Sequence, residues 1–152
     1  MTVAVDGEGG RVAAAGSHLG WLLWADALPE GVRDSFAERL CGPDVLTPWG
    51  LRTPSSTHPL FAVNAYHRGA VWPFDSWLGW GGLRASGRSE AAERLRRGVL
   101  GAIEAIGGAP ELFGVKADGP SPIPIANRVQ AWTVGARWAL AHEWDGRAPS
   151  LF

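Results

Sequence analysis

Residues 66–82 read YHRGAVWPFDSWLGWGG. The stretch gathers Tyr66, His67, Arg68, Asp75 and three tryptophans, Trp72, Trp77 and Trp80, at a loop-to-helix junction. A merely structural segment needs only apolar residues and a cap there, so this composition suits a surface that stacks on and hydrogen-bonds a polar ring. Pro73 fits the first position of a helix, because the N–H it lacks would be unpaired there anyway. Phe74, Trp77, Leu78 and Gly81 recur at helical spacing, which predicts a helix from Pro73 to about Ser86 with Gly87 as its C-cap. Asp75 falls in the first turn, where the helix dipole favours an anion. Trp77 and Trp80 lie one turn apart and are expected in the core, leaving Trp72 as the stacking platform.

The same periodicity recurs on both sides. Ser17 can cap a helix carrying Leu19, Leu22 and Leu23, with Trp21 and Trp24 flanking and Pro29 as its stop. A second helix is expected from about Val32 to Leu40, ended by Gly42 and Pro43. Downstream, Ser89 opens an amphipathic helix with Ala92, Leu95, Val99, Ala102 and Ile106 as its buried stripe; Gly107 and Gly108 end it. On its outer face Glu90/Arg94 and Glu93/Arg97 are spaced for ion pairs. A last helix, from about Arg128 to Glu143, is expected to bury Val129, Trp132, Thr133, Ala136 and Leu140. Residues 1–15 read as an extended piece or linker, residues 44–65 as an ordered loop on a cavity rim, and residues 109–127, with four prolines, as another long loop. The fold expected is all-α: two αα-hairpins and one further helix, joined by long Pro-rich loops, with little strand signal. Such a set cannot close a ring, so residues 1–152 read as one unit without internal boundary, part of a larger helical toroid.

Composition narrows the function. Charged residues make up 19% of the chain and nine of its 152 residues are Trp, an excess that suggests stacking surfaces or an aromatic-lined cavity. A net charge of −1 argues against a nucleic-acid partner, since the clustered Arg94, Arg96 and Arg97 share their helix face with Glu90 and Glu93. The single Cys41 excludes a disulfide framework and a Cys-based metal site. Neither a signal peptide nor a membrane span is apparent, and a cytoplasmic setting is expected.

Two loop carboxylates among aromatic residues are the minimum for glycoside hydrolysis, in which one acid protonates the leaving oxygen and one base activates water. Glu111, between Pro110 and the apolar pair Leu112-Phe113, is expected to have a raised pKa suited to acid–base work. Read alone, Glu111 is better explained as a solvated loop carboxylate, and Asp75 is equally a first-turn helix anion. His67 can bond a substrate hydroxyl or simply satisfy backbone groups. Gln130, beside Trp132, is a natural hydroxyl partner.

The blocks GWLLW (20–24), WGLRT (49–53), AYHRGAVWPFDSWLGWGGL (65–83), PELFG (110–114) and QAW (130–132) resemble, in this order, the amylo-alpha-1,6-glucosidase (glycogen-debranching type) glycoside hydrolases. The resemblance covers nearly the whole chain. It implies an (α/α)6 barrel of paired helices, of the six-hairpin glycosidase type, that hydrolyses alpha-linked glucosides with inversion and needs no cofactor or metal. By this resemblance Glu111 matches the general base, Tyr66, His67 and Trp72 the loop that holds a glucosyl unit, and Asp75 a polar position at the head of the helix. The partner implied is an alpha-glucan or oligosaccharide. The family's general acid is an Asp on an earlier hairpin. No block for it occurs here, and Asp6, Asp26 and Asp44 lie in other contexts. The resemblance therefore implies the C-terminal part of a barrel whose acid comes from a missing N-terminal segment. The family's Cys-Ser-Pro-like lead into QAW is replaced by Asn127-Arg128-Val129. The alternative is a non-catalytic carbohydrate-binding or truncated remnant without the acid. Toroids of the lanthionine-cyclase or prenyl type are disfavoured, lacking the zinc ligands or acidic clusters those need.

Overall fold

The computed structural model describes residues 2–29 and 31–147; the expected unit 1–152 extends past them at both ends. Among the described residues there are five helices and three small hairpins. The helices are α1 (His18–Trp24), α2 (Arg33–Leu40), α3 (Pro73–Ala85), α4 (Ser89–Ile106) and α5 (Ala131–Ala141). α3 is the hub, with α1 on one side and α5 on the other; α2 packs on α1, and α4 lies across α3 and α5.

The central helix begins at Pro73 and the amphipathic one spans Ser89 to Ile106, both as the periodicity predicts. Leu19, Leu23, Leu40, Trp80, Leu83, Leu95, Val99, Ile103 and Leu140 fill the main core between the helices. Trp80 is buried as expected, whereas Trp77 is only half-buried and stacks on Trp144 at 5.7 Å. Glu93 pairs with Arg97 as its spacing allows, but it also takes Arg96 at 2.8 Å, and no ion pair joins Glu90 to Arg94 among the described residues.

The all-α expectation needs correcting to mostly helical. β1 (Thr2–Val5) and β2 (Arg11–Ala13) pair antiparallel, as do β3 (Leu46–Thr47) and β4 (Gly50–Leu51), and β5 (Phe113–Lys116) and β6 (Gly119–Pro122). The last pair lies inside the proline-rich loop. Its prolines, Pro120 and Pro122, sit on the edge strand β6, where a missing donor is tolerated. The inner strand β5 has no proline and exchanges backbone hydrogen bonds of 2.8 and 3.0 Å with Val71 through Phe113. Proline content masked a hairpin whose Ala117-Asp118-Gly119 turn was a usable signal.

The last helix also differs: it starts at Ala131, and Val129 and Trp132 are 71% and 42% exposed rather than buried. Thr133, Ala136 and Leu140 face inward as expected, joined by Ala139. No helix among the described residues is long and apolar enough to cross a membrane.

Candidate functional site

The loop before α3 is a run of tight turns. The Ala62 N–H donates to the Arg68 carbonyl at 2.7 Å and the Arg68 N–H to the Ala65 carbonyl at 3.2 Å. Gly69 closes the run at φ +156°, and a Cβ there would lie 2.3 Å from the Ala62 carbonyl oxygen, so only glycine fits. Tyr66 and His67 are thereby presented next to Trp72, whose indole N–H donates to the Tyr66 carbonyl at 3.1 Å. The Trp72 ring meets Tyr66 edge-on, with centroids 5.0 Å apart, and stacks on His67 at 5.6 Å with planes 11° apart.

Glu111 comes from the segment between α4 and β5, tied down by its own N–H donating to the Asn127 carbonyl at 2.9 Å. Its Oε1 accepts the Tyr66 hydroxyl. Its Oε2 accepts both the backbone N–H and the side-chain amide of Asn127, each at 3.1 Å. These bonds overturn the expected raised pKa. The Tyr66 hydroxyl is the largest influence and, with the Asn127 and Gln130 donors, holds the carboxyl below the ordinary glutamate value against the effect of burial. The apolar neighbours in sequence, Pro110 and Leu112, are not the groups that face the carboxylate in space. The same bond to Glu111 pushes the Tyr66 phenol up. Gln130 occupies the N-cap of α5, and its Oε1 accepts the Ala131 N–H at 3.3 Å.

Asp75 sits in the first turn of α3, but it is more than a helix anion. Its Oδ2 accepts the Ser17 hydroxyl at 2.6 Å and its Oδ1 the Trp21 indole N–H at 3.1 Å, so it fastens α1 to α3. Ser17 therefore makes no side-chain cap on α1, contrary to expectation. Burial is the main influence on Asp75 and raises its pKa despite both bonds and the nearby His67. The folded state thus holds this proton more tightly than the unfolded chain does. Asp75 favours folding while protonated, and stability falls as pH rises from the unfolded pKa through the raised folded one. Asp75→Asn, which keeps an acceptor and removes the charge, is expected to leave the thermal midpoint at pH 7 unchanged or raised and to flatten its pH dependence. Asp75→Ala strands the buried Ser17 hydroxyl and is expected to cost about 1–3 kcal/mol. Melting curves of both variants from pH 4 to 8 check the pair.

Between the two carboxylates runs an aromatic surface. Trp21 meets Phe74 at 5.4 Å, Phe74 stacks on Trp132 at 5.9 Å, and Trp132 reaches Trp72 at 5.8 Å. Trp132, in the first turn of α5, touches these rings on one side and solvent on the other. With Trp21 41% and Trp132 42% exposed, the surface is open to a ligand. Aromatic faces bind the C–H face of a pyranose while neighbouring polar groups take its hydroxyls. An apolar cleft of about 250 Å³, lined by Pro110, Leu112 and Ile123 among others, lies next to this segment, but Glu111 does not line it.

All six candidate residues thus lie on or beside one surface, with Tyr66, His67, Trp72 and Glu111 in a connected cluster. Ser17, Trp21, Phe74 and Asn127 belong to the same arrangement and were not among the site residues expected from the sequence. Asn127 had one signal, its place in the unexpected lead into QAW.

The profile of the mannosylglycerate hydrolase MGH1-like glycoside hydrolase domain matches residues 1–114. A GH63 mannosylglycerate hydrolase from Thermus thermophilus in complex with Tris is similar over 90% of this chain, at 26% identity and a TM-score of 0.65. A GH63 mannosylglycerate hydrolase from the same organism in complex with glucose gives 24% identity and a TM-score of 0.66. An uncharacterized conserved protein of that organism gives 24% and 0.64. The chain spans about a third, 31–32%, of the length of these structures. No curated protein matches it. These likenesses support a glycoside hydrolase of the six-hairpin type and do not point specifically to glycogen debranching.

Proposed function

As this chain belongs to the MGH1-like glycoside hydrolase domain family, we propose that it forms the C-terminal part of an (α/α)6 barrel and supplies the general base and much of the sugar-binding surface of an inverting α-glycosidase. The observation that carries this reading is Glu111: an ionised carboxylate, held at both oxygens by Tyr66 and Asn127, beside an exposed aromatic surface. In the reaction, a water oxygen attacks the anomeric carbon while Glu111 takes one of its protons. The glycosidic C–O bond breaks, and a carboxylic acid from another part of the barrel gives its proton to the leaving oxygen. Tyr66 and Asn127 hold the base in orientation, and Trp72 and Trp132 seat the sugar ring. Asp75, with both oxygens engaged by α1, acts as a positioning residue that fixes Trp21.

Two substrate classes follow from two kinds of evidence. The matched family and the mannosylglycerate hydrolases among the solved structures favour a small hexoside with an acidic aglycone. The ordered sequence blocks favour an alpha-1,6-glucoside. Hydrolysis of mannosylglycerate and glucosylglycerate, compared with isomaltose and a branched glucan, separates them. NMR of the first-formed sugar tests the mechanism, since retention of anomeric configuration excludes Glu111 as the base of an inverting enzyme. A third reading, a binding module without catalysis, rests on the chain's coverage of about a third of those structures. Sugar binding by a whole-length protein that hydrolyses none of these substrates favours it.

The lowered pKa of Glu111 makes a further prediction. The base is deprotonated below the usual glutamate range, so the acidic limb of the kcat/KM profile lies lower than an ordinary glutamate gives. Tyr66→Phe removes the largest stabiliser of the anion. It is expected to move that limb upward and to lower kcat by roughly 10-fold or more. An unmoved limb removes Tyr66 from the assignment.

A further inference from the structure

The apolar cleft beside Glu111 has no part in the sugar surface or in the reaction above. Its walls come from the end of α4 and from the proline-rich segment: Ile106, Pro110, Leu112, Pro122, Ile123 and Pro124. Proline rings fix φ, and hydrogen bonds fasten the same segment from outside the cleft. The Gln130 N–H donates to the Ala109 carbonyl at 2.9 Å, and the buried Thr133 hydroxyl to the Pro110 carbonyl at 2.8 Å. The cleft is therefore preformed, and a ligand entering it bears little cost of ordering these walls.

Its polar groups are few and of one sign. No carboxylate lines it, while Asn127 and Arg128 do. Arg128 is exposed and permanently charged, and it has no ion-pair partner among the described residues. Apolar walls with a single cation beside them suit an anion carried on an apolar body. The volume narrows the choice. About 250 Å³ compares with roughly 150 Å³ for an apolar cavity that takes benzene, so one ring or a short acyl chain fits together with a carboxylate. A sugar would leave hydroxyls unpaired against Ile106, Leu112 and Ile123.

Asn127 extends the reach of the cleft beyond its own walls. Its side-chain amide and backbone N–H both donate to Glu111 Oε2 at 3.1 Å, and it lines the cleft with Arg128. Pro110 and Leu112, the chain neighbours of Glu111, are walls of the cleft too. An anion paired with Arg128 therefore stands one residue away from the group that steadies Glu111. A like charge nearby disfavours an ionised carboxylate, and an Asn127 amide drawn to the ligand deprives Glu111 of a donor. Both effects keep the proton on Glu111. The groups that face it, Tyr66, Asn127 and Gln130, carry no charge in the range where a glutamate titrates, so they do not mask the change.

We propose that this cleft is a regulatory site for a small apolar carboxylate, an aromatic or short-chain acid, which binds through Arg128 and turns the reaction down by way of Asn127 and Glu111. The regulatory part rests on the reading of Glu111 as the general base; the binding part does not.

The test uses the full 152-residue chain. Phenylacetate, its neutral counterpart phenylethanol, and acetate are titrated separately, following the methyl signals of Ile106, Leu112 and Ile123 by NMR. Phenylacetate is expected to shift them saturably and to bind about 10-fold more tightly than either control, through a charge-assisted hydrogen bond that the alcohol lacks and a buried ring that acetate lacks. Arg128→Gln, at an exposed position, is expected to erase the preference over phenylethanol and to leave phenylethanol binding as in the parent chain. Gly108→Val adds bulk at a lining position where a Cβ meets only the Arg128 carbonyl oxygen, at 3.5 Å, and is expected to weaken both ring compounds together. Carboxyl-carbon NMR of Glu111 is expected to show its titration midpoint rising as phenylacetate saturates the cleft. Equal binding of phenylacetate and phenylethanol, or phenylacetate binding unchanged by Arg128→Gln, overturns the proposal. So does acetate binding as tightly as phenylacetate, which marks an anion site that makes no use of the cleft. A Glu111 midpoint that stays in place at saturation overturns the regulatory role. Hydrolysis retained by a Glu111→Gln enzyme, with binding and the midpoint shift in the parent chain both intact, counts instead against the general-base reading and leaves the acid site standing.

Discussion

Glu111→Gln, placed in an enzyme that contains the whole barrel, is expected to lower kcat by about 10²–10⁴-fold while KM changes only a few-fold. Glutamine matches glutamate in shape. Its carbonyl oxygen can take the two Asn127 donors and its amide can donate to the Tyr66 oxygen, so the contacts seen around Oε1 and Oε2 persist with their polarity rearranged. What disappears is the ability to accept a proton from water. A loss confined to kcat marks an interaction made in the transition state, whereas a rise in KM alone marks lost ground-state binding. Steady-state kinetics on a small α-hexoside, with sugar affinity measured separately by Trp fluorescence, decide between them. Retained kcat would falsify the assignment of Glu111 as base.

The helices were largely legible because their signals are local. Pro73 and the Ser89–Ile106 stripe are written in propensity and period, and the structure starts and stops those helices where the residues indicate. The hairpins were not. β5 is held partly by Val71, a partner about forty residues away, and periodicity carries no information on such a pairing. The site divides in the same way. Tyr66, His67, Trp72 and Asp75 lie within ten residues of one another and announce themselves by composition. The electrostatics of Glu111 do not, because its neighbours in the chain are apolar and its neighbours in space, Tyr66 and Asn127, are polar and distant in sequence. Reading Pro110 and Leu112 as its environment gave the wrong sign for its pKa. For Asp75 the sequence showed only a first-turn helix anion, and its pKa became legible with the packing of α1 against α3, which buries it enough to raise that pKa.

That packing of α1 on α3 makes the second large prediction, and its sign is not obvious from sequence. Gly20 lies inside α1, where replacing glycine by alanine in a solvated helix gains about 1 kcal/mol. Here a Cβ at Gly20 would stand 2.4 Å from the Gly79 Cα and 3.0 Å from the Gly79 backbone nitrogen. Backbone cannot swing aside as a flexible side chain can, so the helices must separate. A Cβ on Gly82 meets the same limit, 2.7 Å from the Gly20 carbonyl oxygen, whereas one on Gly79 would meet a side-chain tip, Leu51 Cδ1, at 2.2 Å. Overpacking of this kind costs about 1–3 kcal/mol and more when backbone must move. Gly20→Ala is therefore expected to lose about 1–2 kcal/mol net, lowering the thermal midpoint by roughly 2–8 °C for a domain of this size. Gly135→Ala in α5 is the control, because nothing lies within 4 Å of a Cβ there. It is expected to be neutral or to gain up to about 1 kcal/mol. Calorimetry of the two variants gives opposite signs if α1 and α3 meet backbone to backbone, and the same sign if they do not. The consequence reaches the site, since the Ser17 and Trp21 bonds to Asp75 span this helix pair. Separating the helices is expected to stretch both bonds and release the Trp21 ring from its place against Phe74, so that sugar-induced quenching of tryptophan fluorescence weakens along with the stability.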